Sequence, residues 1–385
     1  MTSSATTRPW ALAMGGLLAL AAAMGIGRFV YTPILPMMAA SEGLTASQAG
    51  MIASSNFLGY LVGAMLAAST FMRGSPRAWL YWSLLASAVT TLAMAWTGNY
   101  TAFLAMRFAG GVVSAWVLVF ASSLVIPRLR AMGRGEFGAV HFAGVGIGIA
   151  LAALITGLAT TTGAGWRGAW IYNGVAALLA TGLVVSLVSV RDPAHPMEPR
   201  NAVAGEGAIG PLLVAYGLFG FGYIITATFI VQLVRAASYS PAAEMMVWLL
   251  VGLAAAPSVW LWNHFARLVG NSRAYAAACV LLASGVAASV LIPGLFGLMV
   301  GAVLLGATFM GITALGLVEA GHRSPGDPRR TLGLMTAAFG FGQIVGPLVG
   351  GFMRDVFGSF LLPSLLASTA LLIAAWLVMP RNRSN

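Results

Sequence analysis

A chain of 385 residues that is 59% hydrophobic and only 8% charged, with a mean hydropathy of +0.90, carries more apolar surface than a soluble core can bury. Its formal charge of +11 would suit a nucleic-acid-binding face, but no soluble domain is present to carry one, so nucleic acid is excluded as a partner. The single cysteine, Cys279, excludes a disulfide framework and reads as a small packing residue in an apolar run.

A membrane-spanning helix takes roughly 20 apolar residues. Twelve such runs follow one another, at 10–38, 47–72, 78–97, 101–127, 137–160, 166–189, 209–234, 244–264, 274–293, 295–319, 331–353 and 359–379. The predicted fold class is an all-α membrane protein with twelve transmembrane helices. The first run resembles a secretory signal at its start, with Arg8 before an apolar centre at 11–23, but it continues well past that length. Within it lies Arg28, and a guanidinium in hydrocarbon costs several kcal/mol, which makes it the leading candidate for a functional residue. Between runs six and seven the polar stretch 191–207 contains three prolines and reads as a linker, dividing the chain into 1–190, a linker at 191–208, and 209–385.

Positive charge in short loops is retained on the cytoplasmic side. With both termini inside, fifteen arginines fall in cytoplasmic loops and only Arg167, Arg235 and Arg354 outside, while Arg28 and Arg107 remain within runs. Insertion topology therefore accounts for the charge, and the expected location is the cell inner membrane with both termini cytoplasmic.

The two halves resemble each other. Gly25-Ile26-Gly27-Arg28 corresponds to Gly220-Phe221-Gly222-Tyr223 at an offset of 195, and Gly144 and Gly146 correspond to Gly340 and Gly342 at an offset of 196. Duplicated six-helix halves are what alternating access requires, since two similar bundles can rock about a central site. Three stretches then resemble the YbfB/YjiJ-like subfamily of the major facilitator superfamily: Gly25-Ile26-Gly27-Arg28-Phe29-Val30-Tyr31-Thr32-Pro33-Ile34-Leu35-Pro36, His141-Phe142-Ala143-Gly144-Val145-Gly146, and Ala215-Tyr216-Gly217-Leu218-Phe219-Gly220-Phe221-Gly222-Tyr223. The resemblance implies two pseudo-symmetric six-helix bundles, secondary transport of a small molecule with proton coupling, no cofactor, and a functional monomer in the lipid bilayer.

Two superfamily patterns carry over. Arg107-Phe108-Ala109-Gly110-Gly111 is similar to the fourth-helix motif whose arginine is linked to proton coupling. Gly342-Gln343-Ile344-Val345-Gly346-Pro347-Leu348-Val349-Gly350-Gly351 fits the pattern that antiporters carry on helix five, but here it lies on helix eleven, which weakens the implication of antiport. Small residues at every fourth position let helices approach closely, so packing or hinge roles are expected for Gly25, Gly27, Pro33, Pro36, Gly144, Gly146, Gly342, Gly346 and Pro347. The loop Phe71-Met72-Arg73-Gly74-Ser75-Pro76-Arg77 keeps the superfamily's basic residues and lacks its acid. Glu136 either supplies a partner for Arg73 or Arg77 across the gate, or complements its own helix start.

Arg28 lies ~27 Å along its helix from Trp10, and Arg107 ~9 Å from Thr101, at 1.5 Å per residue. The two charges thus reach similar depth from opposite directions, and the resemblance places both on the wall of a central cavity. Snorkelling is the plainer reading, and easier for Arg107 than for Arg28. All nine acids lie in loops or near run ends, so an anionic substrate is the expected countercharge. Tyr31, Asn56, Trp116, Tyr223, Thr226 and Gln343 are further candidates for substrate contact, set against the commoner use of such residues in bonds between helices. His141 and Arg107 are the candidates for proton coupling. An efflux antiporter for neutral or cationic compounds is one alternative; a membrane-embedded enzyme or a sensor is another. No metal-ligand pair, paired carboxylates within a run or large catalytic loop supports enzyme chemistry, so neither catalytic residues nor a metal are expected.

Overall fold

The computed structural model describes residues 8–69, 72–188, 209–323 and 328–379. The linker read at 191–208 lies outside them, with Arg191 and Arg200, as do Phe71, Arg381 and Arg383. All regular structure among the described residues is helical. The spans are α1 (Pro9–Glu42), α2 (Ala46–Ala68), α3 (Pro76–Trp96), α4 (Tyr100–Ala131), α5 (Gly135–Thr161), α6 (Gly165–Leu187), α7 (Ile209–Ala236), α8 (Pro241–Ala255 and Ser258–Val269), α9 (Asn271–Leu291), α10 (Gly294–Arg323), α11 (Pro328–Phe357) and α12 (Leu361–Val378). Exposed Leu179, Leu183 and Phe352 on their outer faces are the surface that a bilayer would cover.

Two runs that read as straight helices are broken. In α1 the α-helix gives way to a π-helical stretch at Ala21–Ile26 and a turn at 27–30 before resuming at Tyr31. Gly25 and Gly27 weaken the helix locally. Pro33 then offers no N–H to the Phe29 carbonyl, so the Thr32 N–H bonds there instead, at 3.3 Å, and leaves the Arg28 carbonyl without its usual helical partner. In α8 the two halves meet at 45° around Pro257, and the Ser258 hydroxyl donates to the Ala255 carbonyl at 2.8 Å. Conversely, α4 and α10 run further than their apolar stretches. Arg128, Arg130 and Arg323 therefore ride on last helical turns rather than loops, where positive charge complements the C-terminus.

Close helix approaches depend on small residues. A Cβ added to Gly25 would lie 2.3 Å from Cα of Gly148, so α1 and α5 meet backbone to backbone there. The duplicate pair α7 and α11 meets in the same way through Gly217 and Gly342. The Thr32 hydroxyl donates to the Ala227 carbonyl at 2.7 Å across a separation of 195 residues, the duplication offset. A residue touching its own duplicate is the signature of an axis relating the two halves.

Two seams join those halves, α2 against α11 and α5 against α8, and their backbone-to-backbone approaches lie between mid-helix and the end that bears Glu42 and Asp355, while Leu61 continues the first against Gly340. Asp355 accepts the first free N–H groups of α2, from Ala46 at 3.0 Å and Ser47 at 2.8 Å, while the Ser54 hydroxyl donates to the Ile344 carbonyl at 2.7 Å. Gly50 lies against the Pro347 carbonyl, Gly146 against Ala256, and Gly252 against Ala150.

Candidate functional site

Below those seams, towards the arginine-rich end, the helices enclose a cavity of about 510 Å³. Its wall is mainly apolar, with Met24 and Phe29 from α1, Leu118 from α4, Phe142 from α5, Val259 from α8, Leu317 from α10 and Leu332 from α11. The polar lining is Arg28, Tyr60, Ser122, Tyr223, Thr313 and Gln343. Beyond Phe29 and Phe309 the space narrows to a crevice against Ile149, Trp248, Val251 and Leu305 that is too tight for a water molecule. The site is therefore plugged on the acid-bearing side.

Arg28 is 3% exposed and has no carboxylate partner among the described residues. Its Nη2 donates to Gln343 Oε1 at 2.9 Å, and its Nε has no hydrogen-bond partner. The guanidinium carbon lies 4.0 Å from the Tyr60 ring centroid and 4.9 Å from that of Phe57. Desolvated cation–π contacts contribute roughly 2 kcal/mol each. With one hydrogen bond to a charged group at about 1.5–3 kcal/mol, they offset a burial cost of several kcal/mol. Gln343 Nε2 in turn donates to the Tyr223 hydroxyl, so Arg28, Gln343 and the duplicate of Arg28 form one polar chain across the halves. The Tyr223 ring is stacked on Phe309 and Phe339, with interplanar angles of 5° and 3°.

Arg107 departs from the cavity wall on which the resemblance placed it. Also 3% exposed, it faces the broken part of α1, donating from Nη1 to the Gly27 carbonyl at 3.0 Å and from Nη2 to the Arg28 carbonyl at 2.8 Å. The gap beside it, next to Thr90 and Met106, has no room for water. It does not snorkel. The carbonyl released by Pro33 and Thr32 is one of its partners.

Of the eight residues expected to contact substrate, only Arg28, Tyr223 and Gln343 line the cavity. Tyr31 donates to the Ala49 carbonyl at 3.0 Å, Asn56 to the Arg107 carbonyl at 2.8 Å, and Trp116 to the Gly63 carbonyl at 3.0 Å. These are bonds between helices, the commoner use of polar side chains in membranes. Thr226 is buried on α7 away from the cavity, and its hydroxyl has no partner. His141 is fully buried behind the wall, with Nε2 3.1 Å from the hydroxyl of Ser122, which does line the cavity. At the arginine-rich end Glu136 pairs with Arg134 at 3.5 Å, whereas Arg77 donates to Tyr81 and Arg73 is exposed. The suggested Glu136 link to Arg73 or Arg77 is thus absent, because Glu136 sits on a short turn beside a nearer arginine. Pro33 and Pro36 lie in the resumed part of α1, and Gly346 packs against the Phe221 carbonyl.

Tyr60, Phe309, Phe339 and Ser122 were missed in the sequence. Tyr60 carried a usable signal, being one helical turn beyond Asn56 in the second run, where an intramembrane arginine needs an aromatic face.

The family described as "Uncharacterised MFS-type transporter YbfB" matches residues 20–379. The chain belongs to this family of major facilitator transporters. It is accordingly a multi-pass membrane protein of the major facilitator type. Among relatives, the chain is 29% identical over 181 residues to the uncharacterized MFS-type transporter YcaD of Escherichia fergusonii, covering 46% of each chain. It is 25% identical over 158 residues to an uncharacterized MFS-type transporter of Yersinia pestis, covering 41% of this chain and 40% of the relative. The match thus spans less than half the length of these curated relatives. A variant of the nucleoside transporter NupG superposes with a TM-score of 0.74 at 14% identity, over 95% of this chain and 98% of that one. A bacterial homolog of the human lysosomal transporter Spinster, in an inward-facing and unoccupied conformation, gives 0.71 at 16% identity, over 98% and 97%. These likenesses establish the major facilitator fold.

Proposed function

We propose that this transporter is a secondary active carrier of organic anions that works by alternating access between helices 1–190 and 209–385 about the Arg28 cavity. One observation carries the reading: a permanent charge is held in an apolar cavity with ring faces and a neutral amide around it, and without a carboxylate among the described residues. Rigid, desolvated arginine is suited to an incoming anion, because a charged acceptor roughly doubles the strength of a neutral hydrogen bond. The seams at the acid-bearing end and the plug at Trp248 describe a state closed on one side. With the arginine-rich end cytoplasmic, as positive loops favour, that state is inward-facing.

Both termini are then cytoplasmic in an inner membrane, and a single chain is sufficient for function. Proton coupling is proposed at His141, which reaches the cavity through Ser122. Counterflow of a radiolabelled organic acid in proteoliposomes tests the carrier reading. Uptake is expected in the wild type and lost in Arg28→Ala; uptake of neutral or cationic compounds only, indifferent to Arg28, contradicts it. His141→Asn is expected to keep counterflow and lose accumulation driven by a pH gradient.

A further inference from the structure

We propose that the substrate is a monocarboxylate with a flat aromatic body, bound side-on by Arg28 with its ring in the stack of Tyr223, Phe309 and Phe339. The inference rests on the organic-anion reading above and narrows it.

The head group follows from a comparison within the molecule. At Arg235, Nε and Nη2 hold the two oxygens of Glu244 at 2.7 and 2.8 Å, the side-on fork that matches a carboxylate. Arg28 has the same edge in a different state. Nη2 is on the amide oxygen of Gln343, and the buried Nε has no partner. A carboxylate entering the cavity displaces a neutral acceptor from one prong and fills the empty one. The displaced Gln343 keeps its bond to the Tyr223 hydroxyl.

The number of charges follows from the rest of the wall. Arg28 is the sole basic side chain among the residues lining the cavity, which otherwise offers rings, aliphatic groups, a few hydroxyls and the single amide of Gln343. A second negative charge would be left against apolar wall. The hydroxyls are largely committed: Thr313 donates to the Phe309 carbonyl at 2.8 Å, and Ser122 faces His141. A sugar or nucleoside, with several hydroxyls to satisfy, would therefore be poorly served.

The body follows from the rings. The Tyr223 ring is parallel to Phe309 and to Phe339 within 5° each, and parallel faces favour a flat aromatic guest by offset stacking. A volume of about 510 Å³ falls within the range that holds a drug-sized ligand.

The test is radioligand binding to the purified full-length protein in nanodiscs, with cinnamate as the probe and cinnamamide, octanoate, phthalate and adenosine as competitors. Saturable cinnamate binding is expected, with octanoate, phthalate, adenosine and cinnamamide each weaker by about tenfold or more. Phe339→Leu should narrow the gap between cinnamate and octanoate, and an unchanged size-exclusion profile and thermal stability of that variant separate loss of stacking from loss of fold. If octanoate or phthalate binds as well as cinnamate and binding is lost in Arg28→Gln, the aromatic monocarboxylate is overturned and the anion reading stands. If cinnamamide or adenosine competes as well as cinnamate, or Arg28→Gln binds cinnamate unchanged, both fall.

Discussion

Arg28 and Arg107 are buried to the same degree and stand beside the same break in α1, yet their partners differ in kind. Arg107 has two backbone carbonyls, the Tyr31 ring at 5.2 Å and a crevice too tight for water. Arg28 has an amide oxygen, aromatic faces and a cavity. Depth and charge alone do not separate the two. The Nε of each is without a partner, so what separates them is whether the Nη groups are held by backbone beside a closed crevice or face an open volume, and a structural arginine and a binding arginine can sit side by side.

Substitutions sharpen this contrast. The largest expected effect is on transport: Arg28→Ala should lower organic-anion uptake by about 100-fold or more, equivalent to roughly 3 kcal/mol lost from a charged hydrogen-bonded contact. Arg28→Lys should recover part of it, because a lysine supplies charge without the fork. Size-exclusion profiles and thermal stability of Arg28→Ala should remain close to wild type. For Arg107→Met the balance reverses. Two carbonyls lose their donors at about 1–3 kcal/mol each, so the expected result is a marked fall in thermal stability, with any residual uptake showing unchanged substrate preference. A stable Arg107→Met protein with altered preference would break the comparison.

How much of this contrast was legible in the sequence depends on the feature. The spans were, because twelve apolar runs have few other uses, and Arg28 was, because a charge in such a run is conspicuous. The destination of Arg107 was not. It depends on the π-helical stretch at Ala21–Ile26 and the rerouted Thr32 bond, and apolar periodicity carries no sign of which carbonyl a break will release. Tyr60, Phe309 and Phe339 were hidden for a different reason: aromatic residues in a membrane run read equally well as core, lipid face or binding wall. Glu136 was ambiguous because its two possible partners required a loop conformation.

Smaller effects bear on the state that the cavity is in. Asp355→Asn weakens the two contacts that tie α11 to the start of α2 and should shift the carrier towards opening at the acid-bearing end. Cysteine labelling near Trp248, run with and without this substitution, reads the shift, and unchanged accessibility contradicts a gating role for Asp355. Glu136→Ala should change neither stability nor transport measurably, since its pair with Arg134 is 3.5 Å long with both side chains 59% exposed. A clear transport defect there would restore a gate role for Glu136.

The most direct test of the central claim is the preference for cinnamate over cinnamamide, measured by equilibrium binding in wild type and in Arg28→Gln. The account predicts that the wild type favours the acid by about tenfold or more and that Arg28→Gln binds the two alike. Equal preference for the acid in both proteins would contradict it.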